Sequence, residues 1–193
     1  MQAARILTQG GIVAFPTETC YGLAVDPENE NALQRLFQLK QRPHHKPVLL
    51  LIHDISLLDT LASSIPELYL PLMEKYWPGP LTLIFPARAV LSSYLTGNTA
   101  TVGVRISPNL QAMALCRQFG RALTATSANI SGQPPARSAA EVVEAFGKTL
   151  DYVVDGGKTP AGHCSTIIGI MKDELCLLRP GQAVVPGVKQ DCL

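Results

Sequence analysis

Residues 39–47 concentrate basic side chains between a helix pattern and an apolar run. Lys40, Arg42 and Lys46 stand there beside two adjacent histidines. Three cations this close together suit a polyphosphate or a carboxylate, both of which bind through charge-assisted hydrogen bonds. The alternative is that they complement the negative end of the preceding helix. The histidines do not indicate a metal site, because adjacent side chains on an extended segment diverge.

Two further polar segments follow apolar runs. Residues 16–22 include Thr17, Glu18 and Thr19, and residues 124–132 combine hydroxyls with Asn129 and a glycine. Polar side chains at strand ends line the ligand crevice of many α/β proteins. The hydroxyls, the amide and the glycine of residues 124–132 suit an anion or a ribose. The alternative for both segments is a turn whose side chains bond to the backbone.

Two arginines stand within or beside apolar runs. Arg105 lies inside the run 101–106, and Arg179 follows the run 175–178 next to Pro180-Gly181. A buried arginine needs a paired anion, which is either a protein carboxylate or a ligand. Cys164 has a histidine beside it, but adjacent residues rarely reach each other properly, so we do not expect covalent catalysis there.

Common nucleotide-binding motifs are absent. No two glycines have the Gly-x-Gly spacing of the dinucleotide fingerprint. Two Gly-Lys-Thr strings, 147–149 and 157–159, lack the earlier glycine of a P-loop, since Val142 and Tyr152 occupy those positions. A nucleotide would have to be held in another way.

Short apolar runs alternate with helical patterns along the chain. Most runs lack period-2 alternation, which predicts strands that are covered on both faces. The predicted strands are 12–15, 48–52, 81–85, 101–106, 121–125, 152–154, 165–168 and 175–178, and the predicted helices are 29–40, 66–76, 108–119 and 138–146. The pattern predicts an α/β domain with a mixed central sheet.

Length and composition set further limits. The chain has 193 residues, of which 47% are hydrophobic and 16% charged, with a net charge of +1. These values predict one globular domain and exclude a disordered chain. A strongly basic nucleic-acid-binding domain is not indicated, although a local basic patch is compatible with the charge.

The five cysteines are scattered and lack Cys-x-x-Cys spacing, so neither a disulfide framework nor a structural zinc site is expected. No signal peptide or membrane span is recognisable. We therefore expect a reduced, cytoplasmic, soluble protein.

Taken together, the ordered motifs resemble the Sua5/YciO/YrdC family over about residues 5–181. The motifs that carry this resemblance are Pro16-Thr-Glu-Thr19 with Tyr21-Gly22, Lys40-x-Arg42-Pro43 with Lys46-Pro47, Trp77-Pro-Gly-Pro80, Val104-Arg105, Ser127-Ala-Asn129 with Ser131-Gly132, Ser165-Thr166 and Leu178-Arg-Pro-Gly181. The resemblance implies an α/β (α+β) fold of the YrdC/RibB-like type, with a twisted mixed sheet flanked by helices and a basic concave face. It implies a single domain, 1–193, with a core at about 5–181 and a C-terminal tail at 182–193.

The main members of this family are threonylcarbamoyl-AMP synthases. The resemblance therefore implies that L-threonine, bicarbonate and ATP react to give threonylcarbamoyl-AMP and pyrophosphate, for N6-threonylcarbamoyladenosine modification of tRNA. Mg²⁺ is expected with ATP, and no permanent cofactor or protein metal site is expected. Implied partners are tRNA or double-stranded RNA and the proteins that transfer threonylcarbamoyl to tRNA, with no membrane.

The resemblance also implies roles for individual residues. Lys40 and Arg42 are expected to be catalytic. The expected ATP-binding residues are Lys40, Arg42, Lys46, Thr101, Ala125, Ser127, Asn129 and Arg179. The expected threonine-binding residues are Thr19, Arg105 and Ser165.

The chain departs from the family pattern at two positions: some members have a histidine where Leu51 stands, and others a serine or threonine at Pro135. Two alternatives stay open. One is a family paralogue that makes another carbamoyl-adenylate, and the other is an RNA-binding module that does no chemistry.

Overall fold

A computed structural model describes residues 2–160 and 163–190. The strands among these residues are β1 (Val13–Pro16), β2 (Tyr21–Ala24), β3 (Leu50–Leu51), β4 (Leu81–Pro86), β5 (Thr101–Arg105), β6 (Leu123–Thr124), β7 (Thr126–Ser127), β8 (Tyr152–Val153), β9 (Thr166–Met171) and β10 (Glu174–Arg179). The α-helices are α1 (Gln2–Thr8), α2 (Glu30–Lys40), α3 (Leu58–Leu61), α4 (Leu70–Tyr76), α5 (Ser93–Thr96), α6 (Leu110–Phe119) and α7 (Ala139–Phe146). Short 3₁₀ helices cover Ile55–Leu57, Glu67–Tyr69 and Gly147–Thr149.

The strands form two mixed sheets. One has the order β7-β2-β1-β8, in which β1 is antiparallel to β2 and parallel to β8. The other has the order β10-β9-β4-β5-β3-β6, in which β4 is antiparallel to β5 and parallel to β9. The predicted mixed α/β architecture is confirmed, and the structure adds that the strands divide between two sheets.

The apolar runs pack as their lack of alternation predicts. All four residues of β1 and all four of β2 are buried, and so are four of the five residues of β5. Two clusters of buried side chains make up the core. Leu51 belongs to the smaller cluster, where it packs against other apolar side chains. Because the core surrounds both sheets, the polar ends of the strands have fixed positions.

Side-chain caps define the predicted helices. Asn29 accepts a hydrogen bond from the Ala32 amide at the start of α2, and Ser138 accepts one from the Glu141 amide at the start of α7. The segment predicted as helix 66–76 instead begins as a 3₁₀ turn before α4. Capping residues satisfy amides that have no partner within the helix.

Sequence patterns missed five of these helices and strands: α1, α3, α5, β2 and β7. Strand β2 is short and contains a glycine, so its own pattern is weak, and it is held by antiparallel pairing with β1.

Beyond residue 181, Ala183, Val185 and Val188 pack against the core.

The expectation for the cysteines needs one correction, because Cys176 is disulfide-bonded. Sequence spacing does not reveal which sulfur atoms the fold brings together. Cys20, Cys116 and Cys164 are free thiols. Over the described ranges, no helix is both long and apolar enough to cross a membrane.

Candidate functional site

A cavity of about 360 Å³ lies where both sheets and the loop after α2 meet. Its wall is contributed by the β1–β2 turn, the loop after α2, the end of β5, the residues around β7, and the junction of β9 with the end of β10. A cavity of this size is within the usual range for small-ligand sites.

Eight of the residues implied by the family resemblance line this cavity. They are Thr19, Arg42, Lys46, Arg105, Ala125, Ser127, Ser165 and Arg179. The other three, Lys40, Thr101 and Asn129, lie elsewhere. Thr101 lines an adjacent cavity of about 780 Å³, which shares Ile84 and Leu178 with the first. The fold thus brings together residues that are far apart in the chain.

The β1–β2 turn is held by its own hydroxyls. The Thr17 side chain donates to the Cys20 carbonyl and accepts from the Thr19 and Cys20 amides. A further hydrogen bond of 2.9 Å joins the Thr17 and Thr19 hydroxyls. This network fixes Thr19, which is 4% exposed, at the cavity wall. The turn interpretation is therefore confirmed, and the ligand-binding role of this segment stays a prediction.

Arg105 has a protein carboxylate as its partner. Its Nη1 donates to Oε1 of Glu18, and the Ser107 hydroxyl donates to Oε2 of the same carboxylate. The two side chains are 8% and 14% exposed, so this is a buried ion pair. Burial, followed by the charge of Arg179, lowers the pKa of Arg105 to about 10, which leaves it protonated at neutral pH. Arg105 also lines the cavity.

Ser165 and Arg179 form a second polar unit. Nη2 of Arg179 donates to the Ser165 carbonyl at 2.7 Å and to its hydroxyl at 3.1 Å. A hydrogen bond of 2.9 Å joins the hydroxyls of Ser165 and Thr82. The Arg179 guanidinium is therefore held by Ser165, and burial lowers its pKa.

The loop after α2 carries Arg42 and Lys46 to the cavity. Helix α2 ends at Lys40, and the left-handed backbone of the following residue Gln41 (φ 50°) turns the chain. Arg42 then donates from Nε to the Lys46 carbonyl at 3.1 Å and from Nη2 to the Pro47 carbonyl at 2.7 Å. These bonds hold the loop closed around the guanidinium, and neither uses Nη1.

Lys40 lies behind the cavity and supports the segment after β7. It is 1% exposed, and its Nζ donates to the carbonyls of Ser127 and Asn129 and to Oδ1 of Asn129 at 3.2 Å. Oδ1 of Asn129 also accepts from the Ser127 hydroxyl at 2.6 Å. Burial, with a smaller contribution from Arg42, lowers the pKa of Lys40 to about 7.

The cavity is strongly basic. Arg42, Lys46, Arg105 and Arg179 line it, and no acidic side chain is among the described residues that do so. Within residues 2–160 and 163–190 there is also no cluster of three or more His, Cys, Asp or Glu side chains that could hold a metal. Cations combined with hydroxyls suit phosphate and carboxylate groups.

Sequence reasoning did not assign four residues that shape the cavity. Glu18 lies within the polar segment 16–22 and could have been paired with Arg105, since a buried arginine requires an anion. Ser107 and Thr82 carry no signal of their own. Cys20 was not singled out, although it lies next to Thr19 and lines the cavity.

Fold and cavity define an α/β protein with a pocket lined by four basic side chains. The chain belongs to the Sua5/YciO/YrdC family, whose profile, described as telomere recombination, matches residues 5–181. Threonylcarbamoyl-AMP synthase of Idiomarina loihiensis is 42% identical to it over 90% of this chain and 95% of that protein. The synthase of Pyrococcus abyssi is 41% identical over 93% of this chain, which spans about half (53%) of that protein.

Solved structures agree with this family assignment. The structure of P. abyssi Sua5 complexed with L-threonine has a TM-score of 0.90 at 41% identity and covers 93% of this chain and 53% of that one. E. coli YciO has a TM-score of 0.87 at 26% identity and covers 97% of this chain and 91% of that one. The fold is therefore that of the family throughout most of the chain.

Proposed function

We propose that this chain is a threonylcarbamoyl-AMP synthase that joins L-threonine, bicarbonate and ATP into threonylcarbamoyl-AMP and pyrophosphate. The observation that carries this proposal is a cavity with four cations and no lining carboxylate among the described residues. All three substrates bring negative charge to one site, which such a cavity stabilises. The synthases to which the chain is about 40% identical support the same activity.

Threonine binds between the two sheets in this proposal. Arg105 contacts the threonine carboxylate through the part of its guanidinium that faces the cavity, while Glu18 holds the other edge. Thr19 and Ser165 contact the remaining polar groups, because both are buried at the cavity wall. Glu18 thus acts as a positioning residue for Arg105.

ATP occupies the side of the cavity formed by the α2 loop and β7. Arg42, Lys46 and Arg179 neutralise its phosphates, and Ser127 and Ala125 contact the nucleotide. Thr101 contributes from the adjacent cavity, which shares the lining residues Ile84 and Leu178 with the first.

Lys40 and Asn129 act on ATP indirectly. Because the Lys40 ammonium is fully enclosed by the Ser127–Asn129 segment, its role is to position Ser127. The direct phosphate contacts belong to Arg42, Lys46 and Arg179.

The reaction needs two anions to meet. The threonine amine and bicarbonate condense to N-carboxythreonine with release of water, and a carboxylate oxygen of N-carboxythreonine attacks the α-phosphorus of ATP. The bond to the β-phosphate breaks, and pyrophosphate leaves. Charge neutralisation and positioning by Arg42 and Arg179 lower the barrier, so no protein nucleophile is required. Mg²⁺ enters as part of the Mg–ATP substrate, since the lining residues are cations and hydroxyls.

The same proposal includes the destination of the product. A cytoplasmic enzyme of this kind supplies threonylcarbamoyl-AMP to the proteins that modify tRNA, and tRNA itself is a proposed partner. The predicted basic concave face beyond the cavity remains part of this proposal. The two alternatives, a paralogue with another acceptor and an RNA-binding module, have no comparable support from the relatives.

The test is a reconstituted reaction. Purified protein receives labelled bicarbonate, L-threonine and Mg–ATP, and the products are separated and identified by mass. Threonylcarbamoyl-AMP and pyrophosphate should form in equal amounts and only when all three substrates are present. Adenylate formation with a different amine but not with threonine would identify a paralogue. Binding of tRNA without pyrophosphate release under any of these conditions would identify a non-catalytic module.

A further inference from the structure

Two free thiols lie together in the wall of the cavity. Cys20 ends the β1–β2 turn and is 8% exposed, and Cys164 is half-buried two residues before the start of β9. Both residues line the cavity. Each thiol shifts the pKa of the other, although the two residues are far apart in the sequence. None of the roles proposed above uses either thiol.

The two thiols have opposite electrostatic surroundings. The hydrogen bond from Cys20 and the charges of Arg179, Arg105 and His163 lower the pKa of Cys164. The same hydrogen bond and then burial raise the pKa of Cys20. The negative charge of the pair therefore resides on Cys164. One thiolate beside one protonated thiol is the arrangement of an attacking and a resolving cysteine.

We propose that Cys20 and Cys164 are a site of reversible oxidation, at which a small organic disulfide converts the two thiols into a disulfide bridge. The Cys164 thiolate attacks one sulfur of the organic disulfide, forms a mixed disulfide and releases the first thiolate. That thiolate takes the proton of Cys20, and the Cys20 sulfur then attacks the Cys164 sulfur. The second small thiolate leaves, so the protein pair is oxidised by two electrons and the organic disulfide is reduced to two thiols.

The bridge has a direct consequence for the cavity. Cys20 follows Thr19, and Cys164 precedes Ser165. A covalent bond would draw these two wall segments together between the hydroxyls that we assign to threonine. The oxidised protein should therefore bind threonine more weakly, a consequence that rests on the proposed function, whereas the bridge itself does not.

Cys116 provides a matched control. It is a free, buried thiol in the smaller core cluster, and burial raises its pKa. Its sulfur donates to the Leu51 carbonyl at 3.5 Å. Because it lies outside the cavity, it should take no part in the exchange.

The bridge can be detected without any substrate. The full chain is equilibrated in buffers with increasing ratios of oxidised to reduced glutathione, alkylated, and digested with trypsin. The expected product is peptide 6–35 cross-linked to peptide 159–172, at a fraction that rises with the ratio and returns to zero with a reducing agent. Cys116→Ser should give the same curve, and Cys164→Ser should give no cross-link. Glutathione attached to Cys164 without the cross-link, at every ratio, would overturn the proposal.

Calorimetry with threonine and a non-hydrolysable ATP analogue then tests the consequence. Threonine affinity should fall by about tenfold or more in the bridged protein, as expected when hydrogen bonds to a ligand are lost. It should recover after reduction, while Cys164→Ser, which lacks the attacking sulfur, should show no change upon glutathione treatment. Equal affinity in both states overturns the effect on the cavity. A cross-link in a protein that binds no threonine in either state supports the bridge and instead contradicts the proposed function.

Discussion

Replacing Arg105 by lysine tests its contact with Glu18 and its proposed contact with the substrate carboxylate independently. The guanidinium offers donors on two edges and is able to contact both anions at once. A lysine keeps the positive charge, but its compact ammonium has no planar fork. Arg105→Lys should therefore retain the internal ion pair and lose the contact with threonine.

The magnitude follows from the burial of the pair. Truncating Arg105 to alanine would leave the Glu18 carboxylate unpaired at 14% exposure, which costs about 3–5 kcal/mol in stability for a buried pair. The lysine avoids that cost and should destabilise the fold by only about 1 kcal/mol. Loss of a charge-assisted hydrogen bond to the ligand costs about 1.5–3 kcal/mol, which raises the threonine KM by about 10- to 150-fold. The KM for ATP should change by no more than a few-fold.

Steady-state kinetics and calorimetry check this expectation together. Threonine is titrated at saturating ATP and ATP at saturating threonine, and a thermal melt confirms the fold. Arg117→Lys, on the exposed side of α6, is the matched control and should behave as the wild type. If Arg105→Lys binds threonine with unchanged affinity, then Arg105 serves only as the partner of Glu18, and the assignment of the threonine carboxylate is wrong.

Three further changes probe the rest of the cavity. Arg42→Ala should reduce adenylate formation by about tenfold or more, because a phosphate contact is lost, whereas Arg117→Ala should not. Lys40 has a pKa of about 7 when folded and 10.5 when unfolded. Between these two pKa values the unfolded chain binds more protons than the folded one. The free energy of unfolding should therefore rise with pH in this range, by up to about 1.4 kcal/mol per pH unit. Lys40→Met should remove that part of the slope. Gly181→Ala places a methyl group 2.4 Å from the Cys164 carbonyl oxygen, so it should destabilise the fold and reduce activity.

Each of these expectations has a contrary result. Full turnover in a folded Arg42→Ala protein would remove Arg42 from the phosphate site. Equal slopes of stability against pH, measured by urea unfolding for wild type and Lys40→Met, would show that Lys40 stays charged when folded. A Gly181→Ala protein with the melting temperature and turnover of the wild type would show that the strand end adjusts freely.

Local patterns predicted most of the secondary structure correctly. The runs at 81–85 and 101–106 became β4 and β5, since long apolar segments without alternation have few other stable arrangements. Strands β2 and β7 were missed because their own residues form too short a pattern to indicate a strand. Strands β2 and β7 are only four and two residues long, and each depends on hydrogen bonds from a neighbouring strand.

The predictions for the site also divide into local properties, which the sequence shows, and tertiary contacts, which it does not. The sequence by itself determined which residue types are available: clustered cations, hydroxyls at strand ends, and an arginine inside an apolar run. These properties are local, because charge and hydrogen-bonding capacity belong to each side chain.

Only the tertiary structure decided which side chains contact one another. It paired Arg105 with Glu18, turned Lys40 away from the cavity toward Asn129, and placed Cys20 beside Cys164. Such contacts depend on how β1, β5, β7 and β9 are ordered in the two sheets. That order is set by the burial of apolar surface over the whole chain, which no short segment of sequence specifies.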